Sequence, residues 1–174
     1  MVIAKTKKHQ LDTKYYIKVA FRRTMKRKWW IGAAIFFGII LFNLLLNLVY
    51  PNIWIYFLAP IFAGFFFLFW YAQFVGATQL KQNQVMFNKY MYEIDNRYIL
   101  LKINNKEAMQ IKWDMIKSAE KTADAFHLWI SNVQFIHLPF NIFNTSNDVK
   151  FVESILRKRN LLPATTQEKK KILQ

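Results

Sequence analysis

Between Lys28 and Lys81 the chain runs for 52 residues without one charged side chain. A water-soluble fold does not need such a stretch, because its helices and strands carry a polar face toward solvent. A helix that crosses a bilayer needs about 20 apolar residues, so the stretch holds two crossings and a turn. Tyr50-Pro51-Asn52 supplies the turn and divides it into residues 29–49 and 53–75. The expected fold class is a membrane α-helical hairpin followed by a small α+β domain. The expected division is a basic segment at 1–28, the two spans, a domain at 81–162 and a polar tail at 163–174.

Charge is placed asymmetrically around that hairpin. Residues 1–28 hold ten Lys and Arg against Asp12 alone, and residues 81–174 hold fifteen against nine acids. Lys and Arg beside a span mark its cytoplasmic side, and the turn is uncharged. Both termini of this multi-pass membrane protein are therefore expected in the cytoplasm. The first span is too long for a signal-peptide core and a second follows at once, so it reads as an anchor. The absence of cysteine excludes disulfides and thiolate chemistry.

Asp12 or Thr13 can start a helix. Beyond it Lys14, Lys18, Arg22 and Lys26 recur every fourth residue along one face, with Leu11, Tyr15 and Val19 on a neighbouring one. With Arg27, Lys28, Trp29 and Trp30 they form the expected membrane interface, where basic groups meet anionic lipid. A second aromatic belt falls at Tyr50, Trp54 and Tyr56. Within the spans, Ala34 and Gly38, Ala59 and Ala63, and Ala72 and Gly76 place small residues four apart, with Gly64 beside them. That spacing permits close helix approach, so these residues are expected to pack the two spans, a homo-oligomer seam being the alternative. Asn43 and Asn47 need partners at that depth and are expected to bond between the spans. Pro60 is expected to kink the second span.

From Val85 the apolar period becomes two. Segments 90–94, 98–103, 108–112, 116–122, 125–130 and 134–138 are each bounded by turn chemistry, including Asp95-Asn96 and Asn104-Asn105. A further short strand is expected at 2–6. Ser146 or Asn147 then caps a segment with Val149, Val152, Ile155 and Leu156 at helical spacing, ending in Arg157-Lys158-Arg159. Lys169–Lys171 add a basic cluster. Six strands capped by one helix outline a small antiparallel β-barrel or sheet of pleckstrin-homology-like (PH-like) type.

Ile111-Lys112-Trp113-Asp114-Met115-Ile116, a strand carrying Glu120, an aromatic-led strand from Phe126, and Pro139 followed by Phe143 complete a pattern. Together with the double span and the 11–16 stretch, this resembles the bacterial YcxB-like family. The resemblance implies a two-span inner-membrane protein with a PH-like cytoplasmic domain, and no enzyme activity. Trp113, Pro139 and Phe143 read as framework, with Trp113 closing the barrel and Phe143 under the last helix.

Little else carries chemistry. A three-residue turn at 131–133 sets His127 opposite His137, with Trp129 and Phe135 on the same face. Two histidines are too few for a four-coordinate metal site, and His9 joins only if the N-terminal strand pairs with this sheet. They are expected on a surface or facing the membrane, where a cross-strand pair can respond to pH near its ordinary range. No glycine follows Gly76, so no phosphate-cradling loop exists, and no nucleic-acid-binding signature appears. The reading is a non-enzymatic, cofactor-free membrane protein. Its partners are the lipid bilayer and a protein, and its role is binding or scaffolding. An immunity protein against a membrane-acting toxin is the alternative.

Overall fold

The computed structural model describes residues 3–103 and 107–162. The Asn104-Asn105 turn and the tail from Pro163, with its basic cluster, lie outside the described residues. The chain separates into two compact units. One is Thr13–Leu80; the other joins Met1–Asp12 to Lys81–Gln174.

The first unit is two long helices, α1 (Thr13–Leu46) and α2 (Trp54–Gln79). Both are long and apolar enough to cross a membrane. The basic segment and the first span are one continuous helix. At 1.5 Å per residue its uncharged part, from Trp29 to Leu46, is ~27 Å long, close to the roughly 30 Å of bilayer hydrocarbon. Lys14, Lys18, Arg22 and Lys26 are exposed, while Tyr16, Ala20 and Thr24 form the buried stripe instead of Tyr15 and Val19. α2 continues through Pro60.

The contact face between the helices differs from the small-residue pattern. Ala34, Gly38, Ala72 and Gly76 are exposed, and a Cβ added at Gly38, Gly64 or Gly76 meets no atom within 4 Å. Gly32 is the close approach: a Cβ there would lie 3.0 Å from the Phe66 ring. Gly32 and Asn43 on α1, and Ala59, Phe74 and Ala77 on α2, are buried, with Ala63 half-buried. A stripe of larger residues such as Phe66 and Phe74 sets which face turns inward, so fourfold spacing of small residues alone misplaces the seam. Asn43 and Asn47 also do not pair span to span. Asn43 Nδ2 and Asn47 Nδ2 donate to the Asn52 carbonyl at 3.2 and 3.1 Å, and Asn47 Oδ1 accepts from Asn52 N–H at 2.7 Å. Asn52 Oδ1 in turn accepts from Trp54 N–H at 2.9 Å. The asparagines satisfy the backbone groups that the turn between the helices leaves unpaired.

The second unit begins with β1 (Ala4–Lys5) and β2 (His9–Gln10) and resumes after α2 with a helical turn, α3 (Lys81–Gln84). Six strands follow: β3 (Lys89–Ile94), β4 (Tyr98–Lys102), β5 (Ala108–Lys112), β6 (Ser118–Lys121), β7 (Ala125–Trp129) and β8 (Phe135–Pro139). All pairings are antiparallel. They form two sheets: one in the order β1-β3-β4-β5, with β2 also on β3, the other β6-β7-β8. Among the described residues no barrel closes, because the turn Trp113–Met115 separates β5 from β6 and the two strands do not pair. The sheets instead enclose a shared core that includes Ile94, Ile99, Phe126, Leu128 and Leu138, all 0 % exposed. The amphipathic helix α4 (Ser146–Lys158) contributes Val152, Ile155 and Leu156 to that core. Its N-cap is Thr145, one residue before the expected Ser146. The Thr145 hydroxyl accepts from Asp148 N–H, and the Asp148 carboxylate accepts from Thr145 N–H, a reciprocal cap.

Candidate functional site

The N-terminal segment is built into the domain that follows the hairpin in sequence. Ala4 pairs with Ile94, Lys5 with Glu93 and His9 with Tyr90. Thr6 N–H donates to the Tyr92 carbonyl, and Tyr92 N–H donates to the Thr6 hydroxyl, both at 2.9 Å. The other edge of the segment reaches the second sheet's exit: Thr6 bridges Phe143, and Lys7 N–H donates to the Ile142 carbonyl at 2.7 Å. Ala4, Thr6 and Leu11 are buried. One short strand thus ties the two sheets together, 86 residues away in sequence from its Tyr92 partner.

Between the sheets lies a cavity of about 340 Å³. Leu11, Val85 and Met86 line it beside the points where the chain enters α1 and leaves α2; Leu101, Ile111 and Phe135 line it farther on. Its polar lining is Gln82, Gln110, Gln134, Tyr90, Tyr92 and His137, with no Lys, Arg, Asp or Glu. Burial raises the Tyr90 and Tyr92 hydroxyl pKa values, so both stay neutral. The Tyr90 hydroxyl donates to the Val85 carbonyl at 2.8 Å, and Gln134 Nε2 donates to Asn83 Oδ1 at 3.1 Å. These bonds hold the α3 turn against the sheets.

His137 is the middle of a row of three histidines, between His127 and His9. Its ring stacks on that of His127 across the β7–β8 pair (5.2 Å, 13°), and His9 meets it edge-on (5.1 Å). His9 Nε2 and His137 Nδ1 share a hydrogen bond of 3.2 Å, which requires one of the two nitrogens to be unprotonated. Burial, with the nearby His127 and His9, pushes the His137 pKa down to about 4; burial lowers that of His9 as well. The histidines are therefore not on a surface, as expected, but interior: His127 is 2 % and His137 9 % exposed. Their rings stack instead of converging on a point, and among the described residues no group of three or more His, Asp or Glu side chains is arranged to hold a metal ion.

The other residues singled out fall away from this site. At the basic end of the hairpin, the Lys28 ammonium sits 4.1 Å from the Trp70 ring centroid, a cation–π contact, while Lys26, Arg27, Trp29 and Trp30 are exposed. Trp113 closes no barrel. Its indole N–H donates to the Asp95 carbonyl at 2.8 Å, pinning the β3–β4 turn, and the Arg159 guanidinium lies over its ring. Pro139 ends β8 opposite Ala125, and Phe143 is buried in the core before α4. The cavity left no mark in the sequence, because its lining is gathered from separate stretches of the chain between Leu11 and His137.

Residues 92–156 match the family model for YcxB-like proteins. The chain carries a YcxB-like domain. The match runs from β3 through α4 and contains Trp113, Glu120, Pro139 and Phe143 of the resembling pattern. It leaves out β1 and β2, which complete the same sheet. No curated protein and no solved structure matches the chain.

Proposed function

We propose that this is a non-enzymatic, two-span protein of the bacterial inner membrane. In this reading it holds its YcxB-like domain, PH-like in outline, at the cytoplasmic surface as a binding or scaffolding module. The observation that carries the reading is the pairing of β1 and β2 with β3. Asp12 and Lys81, the two ends of the hairpin, belong to one folded unit, so the chain enters and leaves the bilayer on the same side. The exposed Lys14, Lys18, Arg22, Lys26 and Arg27 lie on that side, while residues 47–53 carry no charge, and the positive-inside rule makes that side cytoplasmic. The cavity's largely apolar lining, with neutral amides and no charged residue, fits binding better than catalysis. Tethering confines the domain to the membrane surface, so a weak contact with a protein or an anionic headgroup is enough to hold a partner.

Because the chain has no cysteine, single substitutions can be labelled without background. In intact cells a membrane-impermeant maleimide should label Tyr50→Cys. Lys8→Cys and Lys150→Cys should react only after permeabilisation. Opposite behaviour of Lys8→Cys and Lys150→Cys would sink the proposal.

A further inference from the structure

The cavity between the sheets has a chemistry that this chain otherwise keeps away from its polar unit. Lys and Arg outnumber Asp and Glu 25 to 10 in the protein, yet none of the four types lines the cavity. Among the described residues of this unit, the exposed large apolar side chains are Ile3, Val85, Met109 and Met115, and the last three rim the cavity. Exposed apolar groups gathered at one concave site mark a place where an apolar ligand is taken up. Methionines at its mouth suit a flexible, featureless hydrocarbon, since their unbranched side chains adapt to its path.

Size and position narrow the ligand further. At about 30 Å³ per water-sized group the cavity holds a chain of roughly ten such groups, whereas an α-helix with its side chains is about 10 Å across and needs a long groove. Leu11 stands two residues before α1, and Gln82 three residues after Gln79, where α2 ends. At no more than about 3.5 Å per residue, the lining residues Leu11 and Gln82 are each held within ~10 Å of a point where the chain meets the hairpin. On the membrane-tethered reading, the bilayer supplies the hydrocarbon. Gln82, Gln110 and Gln134 offer neutral amides that suit an ester or protonated carboxyl end, and nothing there suits a bare charge.

Resting on the membrane-tethered reading above, we propose that this cavity binds one fatty-acyl chain, drawn from a membrane lipid or supplied as a free fatty acid. The full chain is reconstituted in phosphatidylcholine vesicles with a diazirine either on a phospholipid acyl chain or on free palmitic acid. After irradiation, adducts are mapped by peptide mass spectrometry. The expected result is labelling of peptides carrying Met86, Met109 or Met115, in addition to the α2 peptides. Whichever probe labels the cavity names the source. Met109→Trp and Met115→Trp, both at exposed positions that tolerate a larger side chain, should each reduce cavity labelling at least tenfold while leaving α2 labelling unchanged. Labelled α2 with an unlabelled cavity, or cavity labelling indifferent to both substitutions, overturns the acyl site and leaves the anchoring intact. Absence of α2 labelling overturns the anchored reading itself, and the acyl site with it.

Discussion

The two units of this protein are built to opposite rules. In the hairpin Phe37, Leu45, Phe65 and Phe69 point outward, each at least 59 % exposed, while the polar Asn43 is fully buried. In the YcxB-like domain the order reverses: Phe126, Leu128 and Leu138 are fully buried, and Lys and Arg face out. The same side-chain types take opposite positions because the two units meet different solvents. Hydrocarbon gives no driving force for hiding a phenylalanine, but it makes every unpaired backbone group costly. Hence Asn43 is buried beside the hairpin's turn, where helix ends leave such groups, whereas the domain buries Thr6, Asn83, Asp95, His127 and His137 among its strands and turns.

The contrast can be broken most severely at residues 3–12. Removing them takes Ala4, Thr6 and Leu11 from the core and unpairs the edge of β3, a loss comparable with the whole ~5–15 kcal/mol stability of a domain. The truncated protein should show no cooperative unfolding of its β-structure by circular dichroism, while the helical signal of the hairpin persists in detergent. Next in size is a matched pair of substitutions. Phe126→Ala should cost about 3–5 kcal/mol in denaturant unfolding of the domain, and Leu45→Ala, on the outward face of α1, less than about 0.5. Within the hairpin, Gly32→Leu should weaken helix association by about 1–3 kcal/mol against the Phe66 ring. Gly38→Leu, with open space around it, should change nothing measurable by helix–helix energy transfer.

A further expected effect is one of pH. His137 is held near 4 in the folded domain against an ordinary value of 6.5, so the unfolded chain binds the proton more readily. Its contribution is intact above about pH 6.5 and is lost as pH falls toward 4. His127, His9 and Asp124 share its surroundings. The domain's melting temperature should fall across that window while the hairpin's helicity stays constant, and His137→Gln should flatten the slope.

How much of this was legible in the sequence follows the range of the interactions. The hairpin is written in a local property, the absence of charge, and its two helices lie within a few residues of expectation. Strands β3 to β8 are likewise local, set by period-two patterning and turn residues, and the His127–His137 register follows from the length of one turn. Four things escaped. The pairing of β1 with β3 is a contact across the whole hairpin, and no local pattern in Ala4-Lys5 names a partner for Ala4 at Ile94, 90 residues on. The true helix seam depends on bulky residues such as Phe66, which a search for small ones ignores. Barrel closure was expected from strand count, but whether β5 meets β6 depends on the Trp113–Met115 turn between them. The cavity follows from that open architecture and was equally out of reach.

The central claim is that the hairpin is an insertion within one domain, with the N-terminal strand seated on β3. It is tested most directly by a cross-strand disulfide. Lys5 and Glu93 are register partners, and directly opposed antiparallel residues have Cα atoms ~4.5–5.5 Å apart, within disulfide reach. In full-length protein with a protease site placed in residues 47–53, Lys5→Cys with Glu93→Cys should oxidise within one molecule. The two fragments should then stay joined on a non-reducing gel after cleavage, while Lys5→Cys with Met91→Cys, one step off register, separates. Fragments that part in both variants, or that link only between molecules, would contradict the account.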